Sequence, residues 1–570
     1  MDRNFVLASA LSLAVLVGWM YLTGGGADRD QAAGVKQPIQ AEAIDSIPDF
    51  SEKAEPAAPQ ALPLATGEGV AAVPARTADR SQVPERQFLV EMPLYSVELT
   101  NRGAGISSWK LNEFRQTSDP AAPLIELATT GAAGRPLFTT PFLELGIGNF
   151  ADRVFDVVSE DIASITYEAR ENNITIRKTY TFEPDSYSFR LLIEILNDST
   201  ATVAPRFQVD VPAMQVDADD FREQALAALE DGSRVAVPLA GLGRSGFFQS
   251  ITGGKTELFQ DFVGEIDWAG VQTTYFLTAI VPDNPTQAGV RITTLEPGVS
   301  GAALLSFGET TLPSDRSVSR EFQGYMGPKE MERLEVFGGE TVRAIDLGWS
   351  WVEPLTRFFS QFLKTLYSIV PNYGIAIIIL TIMVRVVTAP LTIKQMRSME
   401  RMRALSPQLQ KIKEEFADDR QKQSEKTMAL YKSEGVNPLG GCLPMLLQFP
   451  VFIGLFYALR STIQLRQAPF FAWIDDLSVP ETLFDIPGLG VPIRVLPLIM
   501  GATMVLQQKI TPMQADPAQA KMMMTVMPIM MTVIFYQFPS GLVLYWMVSN
   551  ILAILHQLWI GRGIRAKTAS

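Results

Sequence analysis

YGIAIIILTIMVRVVTAPL, residues 373–391, is the stretch on which the reading of the whole chain turns. Nineteen residues at ~1.5 Å per residue cross a bilayer core of ~30 Å as a helix. Its single charge is Arg385, roughly 10 Å from the end of the run at ~1.5 Å per residue. A centrally placed Arg costs about 2.5–3.5 kcal/mol on insertion scales, and less where the side chain snorkels to the surface. Thr381, Arg385, Thr388 and Thr392 follow steps of four, three and four, which puts all of them on one helical face.

Toward the C-terminus four more hydrophobic segments follow, at Cys442–Leu459, Val491–Leu506, Met522–Phe538 and Gly541–Ile560. Several contain Pro or Gly, which membrane helices tolerate better than soluble ones. Charge separates this region from the rest. Lys+Arg against Asp+Glu stands at 27 to 48 over residues 1–350 and at 21 to 13 over 351–570, the parts of the chain's 48 and 61. The basic residues cluster between Lys394 and Lys432, at Lys509 and Lys521, and in the tail at Arg562, Arg565 and Lys567. The positive-inside rule therefore puts these loops and both termini in the cytoplasm, and the acidic region outside. One Cys (Cys442) and one His (His556) preclude an intramolecular disulfide and make zinc ligation or a Cys–His nucleophile untenable.

Toward the N-terminus, Phe5–Leu22 behind Arg3 is apolar and long enough to span, with no small-x-small cleavage site before Gly24. We read it as a retained anchor rather than a cleaved signal. The Ala/Pro/Gly/Glu-rich stretch that follows reads as a disordered tether. From Phe88 onward, short runs such as Tyr95–Thr100, Ile174–Phe182, Tyr187–Leu196, Gln272–Ile280 and Ala302–Phe307 alternate with turn residues, Asn172-Asn173 among them. Such spacing predicts a large antiparallel β-sandwich. Trp351, Leu355, Phe358, Phe359, Phe362, Leu366 and Ile369 then recur at helical spacing opposite Arg357, Ser360, Gln361, Lys364 and Ser368, as in a helix lying in the headgroup plane. Met399–Phe416 and Gln421–Lys432 suit an antiparallel helical hairpin. A solvated hairpin on the positive side accounts for its charge; docking on anionic lipid or ribosomal RNA is the alternative.

The expected class is a multi-domain membrane protein. The layout is an anchor at 1–23, a tether at 24–87, a β-sandwich at 88–345, an interfacial helix at 346–371 and a hairpin at 393–436. Spans lie at 372–392, 437–460, 491–508, 522–538 and 541–560, before a short tail at 561–570.

Other spans add polar positions to the Arg385 stripe: Gln448, Thr525 and Thr532, then Trp546, Asn550 and Gln557 on one face, with Gln507 and Gln508 at a helix end. Small polar residues glue membrane helices together, which accounts for the Thr and Gln residues. It does not account for Arg385, since none of the five segments contains Asp or Glu. An unpaired cation at that depth needs water or a visiting anion, so we expect a hydrated cavity open to the cytoplasm.

Two strings are diagnostic. Asn437-Pro438-Leu439-Gly440-Gly441-Cys442-Leu443-Pro444-Met445-Leu446-Leu447-Gln448-Phe449-Pro450 is one; the other runs Phe538-Pro539-Ser540-Gly541-Leu542-Val543-Leu544-Tyr545-Trp546-Met547-Val548-Ser549-Asn550. Both resemble the YidC/Oxa/Alb family of membrane protein insertases, in its bacterial form with a large periplasmic domain. The likeness extends through Arg466–Phe470 and Gly324–Lys329 and is weak in the tether and most of the sandwich. It implies a periplasmic β-supersandwich and a five-helix core in the inner membrane with a hydrophilic groove facing the cytoplasm. Arg385 matches the family's groove cation and Thr381 its groove threonine one turn earlier. Trp546 stands where some members have Tyr, which leaves room for an aromatic role but not a hydroxyl. The short tail implies no ribosome-binding C-terminal extension.

The resemblance also implies the activity: nascent integral membrane proteins are the substrates, the bilayer the medium and a Sec-type translocon a partner. Neither cofactor nor catalytic residue is expected. A hydrophilic, often acidic, substrate segment would enter the groove, and its apolar segment, at about −0.3 to −0.6 kcal/mol per Leu, Ile, Val or Phe, would drive release into lipid. A secondary transporter would call for inverted repeats and broken half-helices, and an intramembrane protease for a Ser–His or Asp pair; neither pattern is present in the sequence.

Overall fold

The computed structural model describes residues 84–216, 223–243, 258–416, 419–435, 443–486, 491–510 and 517–568. The expected anchor, nearly all of the tether and the Asn437–Cys442 part of the first diagnostic string lie outside the described residues. The chain divides into two units, Met1–Ala344 and Ile345–Ser570.

Alternation builds the first unit. Tyr95, Val97 and Leu99 are buried on one strand, and Ile176, Lys178, Tyr180 and Phe182 on another, each with its intervening residues half-buried. This is the period-2 signature of strands with one face on a core. The principal sheet has nine antiparallel strands, in spatial order Ser233–Pro238, Ala225–Glu230, Ile266–Gln272, Phe276–Pro282, Arg316–Pro328, Ser188–Asn197, Ile174–Phe182, Ser164–Glu171 and Asp156–Asp161. Two four-stranded sheets accompany it. One contains Gln87–Glu91, Tyr95–Thr100, Gly105–Arg115 and Leu124–Glu126; the other orders Phe259–Val263, Ala288–Glu296, Ser300–Glu309 and Arg206–Met214. Between them lies an aromatic core in which Tyr95 stacks on Trp109 with centroids 4.1 Å apart, and Phe138, Tyr180 and Phe182 surround Phe189.

Turn chemistry behaves as the sequence suggests. Asn172 and Asn173 both take positive φ, 48° and 61°, and close the hairpin in which Glu171 pairs with Ile174. That is the left-handed geometry a two-residue hairpin turn needs. Gln272–Ile280 is not one strand. Thr273 Oγ1 accepts the N–H of Phe276 at 3.0 Å, the chain reverses there, and Gln272 pairs with Leu277. A Thr hydroxyl competing with the ladder for a backbone donor makes such a turn.

The Gly324–Lys329 run is structural. A Cβ on Gly324 would lie 2.1 Å from the Phe189 ring, and one on Gly327 would lie 2.6 Å from Tyr187. Tyr325 Oη donates to the Pro328 carbonyl at 2.7 Å, and buried Lys329 Nζ donates to the Ala344 carbonyl at 2.8 Å and Gln272 Oε1 at 3.2 Å.

The second unit is helical: α1 Glu353–Ile369, α2 Tyr373–Ala404, α3 Ser406–Glu415, α4 Arg420–Ser433, α5 Leu443–Ser461, α6 Val495–Ile510, α7 Pro517–Phe535 and α8 Ser540–Thr568. One apolar cluster joins most of them, from Phe359 and Leu363 on α1, Ile377 and Leu380 on α2, Leu455 and Leu459 on α5, Met500 on α6 and Phe535 on α7 to Leu542 and Tyr545 on α8. Outside it, Val386 and Val387 on α2, Ile529 and Val533 on α7, and Leu555 and Trp559 on α8 are exposed. An apolar rim of that extent suits lipid rather than water. Among the described residues, Tyr373–Lys394 and Ser540–Trp559 are helices long and apolar enough to cross a membrane, with shorter apolar helices at Phe449–Ser461, Val495–Ile510 and Met524–Phe535.

Several boundaries differ from the expected ones. α2 passes through Pro390 and runs to Ala404, so the stretch expected to open the hairpin continues the same helix. Proline removes one ladder hydrogen bond, which a membrane helix can make good locally. The segment expected to be helical from Val491 starts as a strand, Val491–Ile493, paired with Phe484–Ile486; Pro492 sits on this edge strand and the helix starts at Val495. α8 continues through the expected tail to Thr568. On α1 the buried face is Thr356, Phe359, Ser360, Leu363 and Leu366, whereas Phe358 and Ile369 are exposed. The apolar residues thus serve two sides, one against α5 and α2 and one without a protein partner among the described residues, and Ser360 lies on the inner one.

Candidate functional site

Arg385 lies on α2 three turns from its start, where the helix meets α8. Its Nε and Nη2 both donate to Ser549 Oγ of α8, at 3.1 and 2.5 Å. Tyr545, one turn earlier on α8 and buried, interacts with both Ser549 and Arg385. Among the described residues no carboxylate pairs with Arg385. The cation is held by a neutral acceptor, with no opposite charge bonded to it among the described residues.

The threonines of the stripe turn inward on their own helix. Thr381 is fully buried and donates to the Ile377 carbonyl at 2.6 Å; Thr388 donates to Val384 at 2.9 Å and Thr392 to Thr388 at 3.2 Å. Each satisfies its hydroxyl in apolar surroundings by bonding a turn back. On α7, Thr525 is exposed, whereas Thr532 donates to the Pro528 carbonyl at 2.8 Å and packs against Gly501 of α6. Asn550 is buried and bonds Thr503 Oγ1 of α6 at 3.3 Å. Trp546 stands edge-on to Phe452 of α5 and Phe535 of α7, with centroids 4.8 Å away in each case. Gln448 falls on α5, and its side chain lies outside the described residues. The structure therefore gathers Arg385, Ser549 and Tyr545 into one polar contact and puts Thr381, Thr532, Trp546 and Asn550 into the joints between and within the surrounding helices.

A loop fixes the opposite ends of these helices. Asn372 Oδ1 accepts the N–H of Ile375 at the start of α2. Gly374 lies so close to the Phe470 ring that a Cβ would be 2.0 Å from it. Ser540 N and Gly541 N, the first donors of α8, reach the carbonyls of Val479 and Leu477 at 2.8 and 2.9 Å. The orphan donors at a helix N-terminus require such partners. These contacts explain the Arg466–Phe470 and Phe538–Gly541 strings physically.

Ser549 and Tyr545 were not picked out from the sequence. Both stand in a string singled out there, but only the packing of α8 on α2 shows which side faces the guanidinium.

Residues 365–567 match the family described as 60Kd inner membrane protein, and residues 87–361 match the YidC periplasmic domain. The membrane protein insertase YidC of Geobacter metallireducens is 32% identical over 594 positions, covering 100% of both chains. The chain belongs to the YidC family of membrane protein insertases. The YidC of Syntrophus aciditrophicus is 33% identical over 577 positions, covering 99% of this chain and 100% of its own. A solved structure titled as an active YidC insertase with its first transmembrane domain resolved covers 82% of this chain and 91% of its own, at 17% identity and a TM-score of 0.35. YidC proteins are inner-membrane insertases that act on nascent membrane proteins and are not enzymes. The chain has the YidC arrangement of a β-rich periplasmic domain followed by C-terminal helices.

Proposed function

We propose that this chain inserts and helps fold membrane proteins by receiving the polar end of a substrate in a hydrated groove at Arg385, open to the cytoplasm. The carrying observation is that the Arg385 guanidinium, on a helix of membrane length, is bonded by the neutral Ser549 and by no carboxylate among the described residues. A cation so placed lowers the dehydration cost of an anionic segment. Thr525 offers an exposed polar position along the groove, Thr388 shares the Arg385 face of α2, and Thr381, Thr532, Trp546 and Asn550 hold the helices that frame it. The apolar span of the substrate then leaves along the exposed faces of α2, α7 and α8.

In this reading the five C-terminal spans and the N-terminal anchor cross the inner membrane, both termini are cytoplasmic and the sandwich is periplasmic. The basic α3–α4 pair faces the cytoplasm, where ribosomal RNA or anionic lipid can meet it, and a Sec-type translocon works beside the chain for larger substrates. Reconstitution in liposomes tests the proposal. The purified protein protects a small single-span substrate without nucleotide, and Arg385→Glu lowers protection of a substrate with an acidic leading segment at least tenfold. Full insertion of every substrate by Arg385→Glu refutes it.

A further inference from the structure

A guanidinium can take a carboxylate on two edges with paired hydrogen bonds: the side edge, Nε with Nη2, and the end edge, Nη1 with Nη2. In this chain Ser549 Oγ already sits on the side edge, 3.1 Å from Nε and 2.5 Å from Nη2. Nothing among the described residues bonds Nη1.

We infer that Ser549 is a positioning residue that holds Arg385 by its side edge and so presents its end edge, Nη1 with the second proton of Nη2, to an incoming carboxylate. The inference rests on the reading of Arg385 as the group that meets the substrate. An arginine side chain has many rotamers, and an anion arriving at an unfixed one must meet the cost of ordering it. A single acceptor on the side edge removes much of that freedom beforehand. Ser549 suits the task because it is buried on α8, with Tyr545 beside it. It also suits because it is neutral. An Asp there would orient the guanidinium equally well but would neutralise it, and the attraction for a substrate acid would disappear. Serine orients the cation and leaves its charge available.

The test uses the full-length protein in liposomes and a single-span substrate carrying one Asp in its leading segment, beside the same substrate with Asn. The readout is the ratio of their initial insertion rates. Ser549→Ala, a small change that spares packing, is expected to lower the Asp-over-Asn preference about fivefold, as the cost of ordering one long side chain on binding would. Ser549→Thr, which keeps the acceptor, is expected to retain at least half of the preference. Ser549→Asp is expected to abolish it. An equal fall for both substrates in Ser549→Ala means a packing role only and overturns the inference. So does an unchanged preference in Ser549→Ala where Arg385→Ala loses it. An unchanged preference in Arg385→Ala overturns instead the groove reading beneath it.

Discussion

Glu481 accepts the backbone N–H of Leu496 at 2.6 Å, although the two lie 15 positions apart in the chain. Its other oxygen takes the indole N–H of Trp473 at 2.7 Å, and the carboxylate is buried. Leu496 is the second residue of α6, so a loop carboxylate caps that helix and lies favourably at its positive end. Glu481→Ala leaves two donors without their acceptor at about 1–3 kcal/mol each, so a loss of about 2–6 kcal/mol is expected. Glu481→Gln, which keeps one acceptor, is expected to lose less. Thermal melts of the purified chain in detergent measure both, and equal melting of Glu481→Ala and the parent would exclude the cap.

α6 and α7 meet where glycine removes an obstacle. A Cβ on Gly501 would lie 2.1 Å from Thr532 Oγ1 but 3.4 Å from Thr532 Cβ. Gly501→Ala therefore forces Thr532 to rotate and break its bond to the Pro528 carbonyl, or the helices to part, at a cost of about 1–3 kcal/mol. The double variant Gly501→Ala with Thr532→Ala removes the clashing atom and is expected to recover most of that loss. Additive losses in the two single variants and the double would show that the contact is not made.

Trp546 packs through its ring. Wedged between Phe452 and Phe535, it joins α5, α7 and α8. Trp546→Phe and Trp546→Tyr are expected to keep insertion within about twofold, whereas Trp546→Ala opens a cavity worth about 3 kcal/mol and lowers both melting temperature and insertion. Insertion that survives in Trp546→Tyr but fails in Trp546→Phe would instead point to a hydrogen bond made by the indole N–H.

In the sandwich, burial raises the Asp210 carboxyl to about 6, against a partial counter-effect from Arg135 with its Nη2 3.7 Å away. The folded state thus favours the protonated acid. Between about pH 4 and pH 6 the unfolded chain releases this proton first, so stability falls as pH rises, by about 3 kcal/mol for a two-unit shift. Asp210→Asn is expected to stabilise the protein at pH 8 and to match the parent near pH 4. Calorimetry at the two pH values decides; a gain of the same size at both would show that ionisation is not the cause.

The division of the chain into an acidic β-rich part and a basic helical part could be read directly, because composition and period 2 or 3.6 are local properties. The hairpin at Asn172-Asn173 was legible for the same reason, and Lys178 stands in phase with Ile176, Tyr180 and Phe182, so alternation alone puts it inside. There it donates to the Gly103 and Phe138 carbonyls, and burial pushes its pKa well below the usual lysine range. Boundaries were less legible where one residue outweighed the pattern, as Thr273 does in ending a strand. Arg385 itself stood out at once, since a charge in an apolar run is visible without a fold. What it touches was not. The sequence by itself determined that a cation stands within a long apolar run and that none of the five apolar segments contains an acid. Only the tertiary structure decided that its stripe of threonines bonds inward, and that Ser549, 164 positions away, takes one edge of the guanidinium. Helix rotation about its own axis is set by packing across many side chains at once, and no local pattern encodes it.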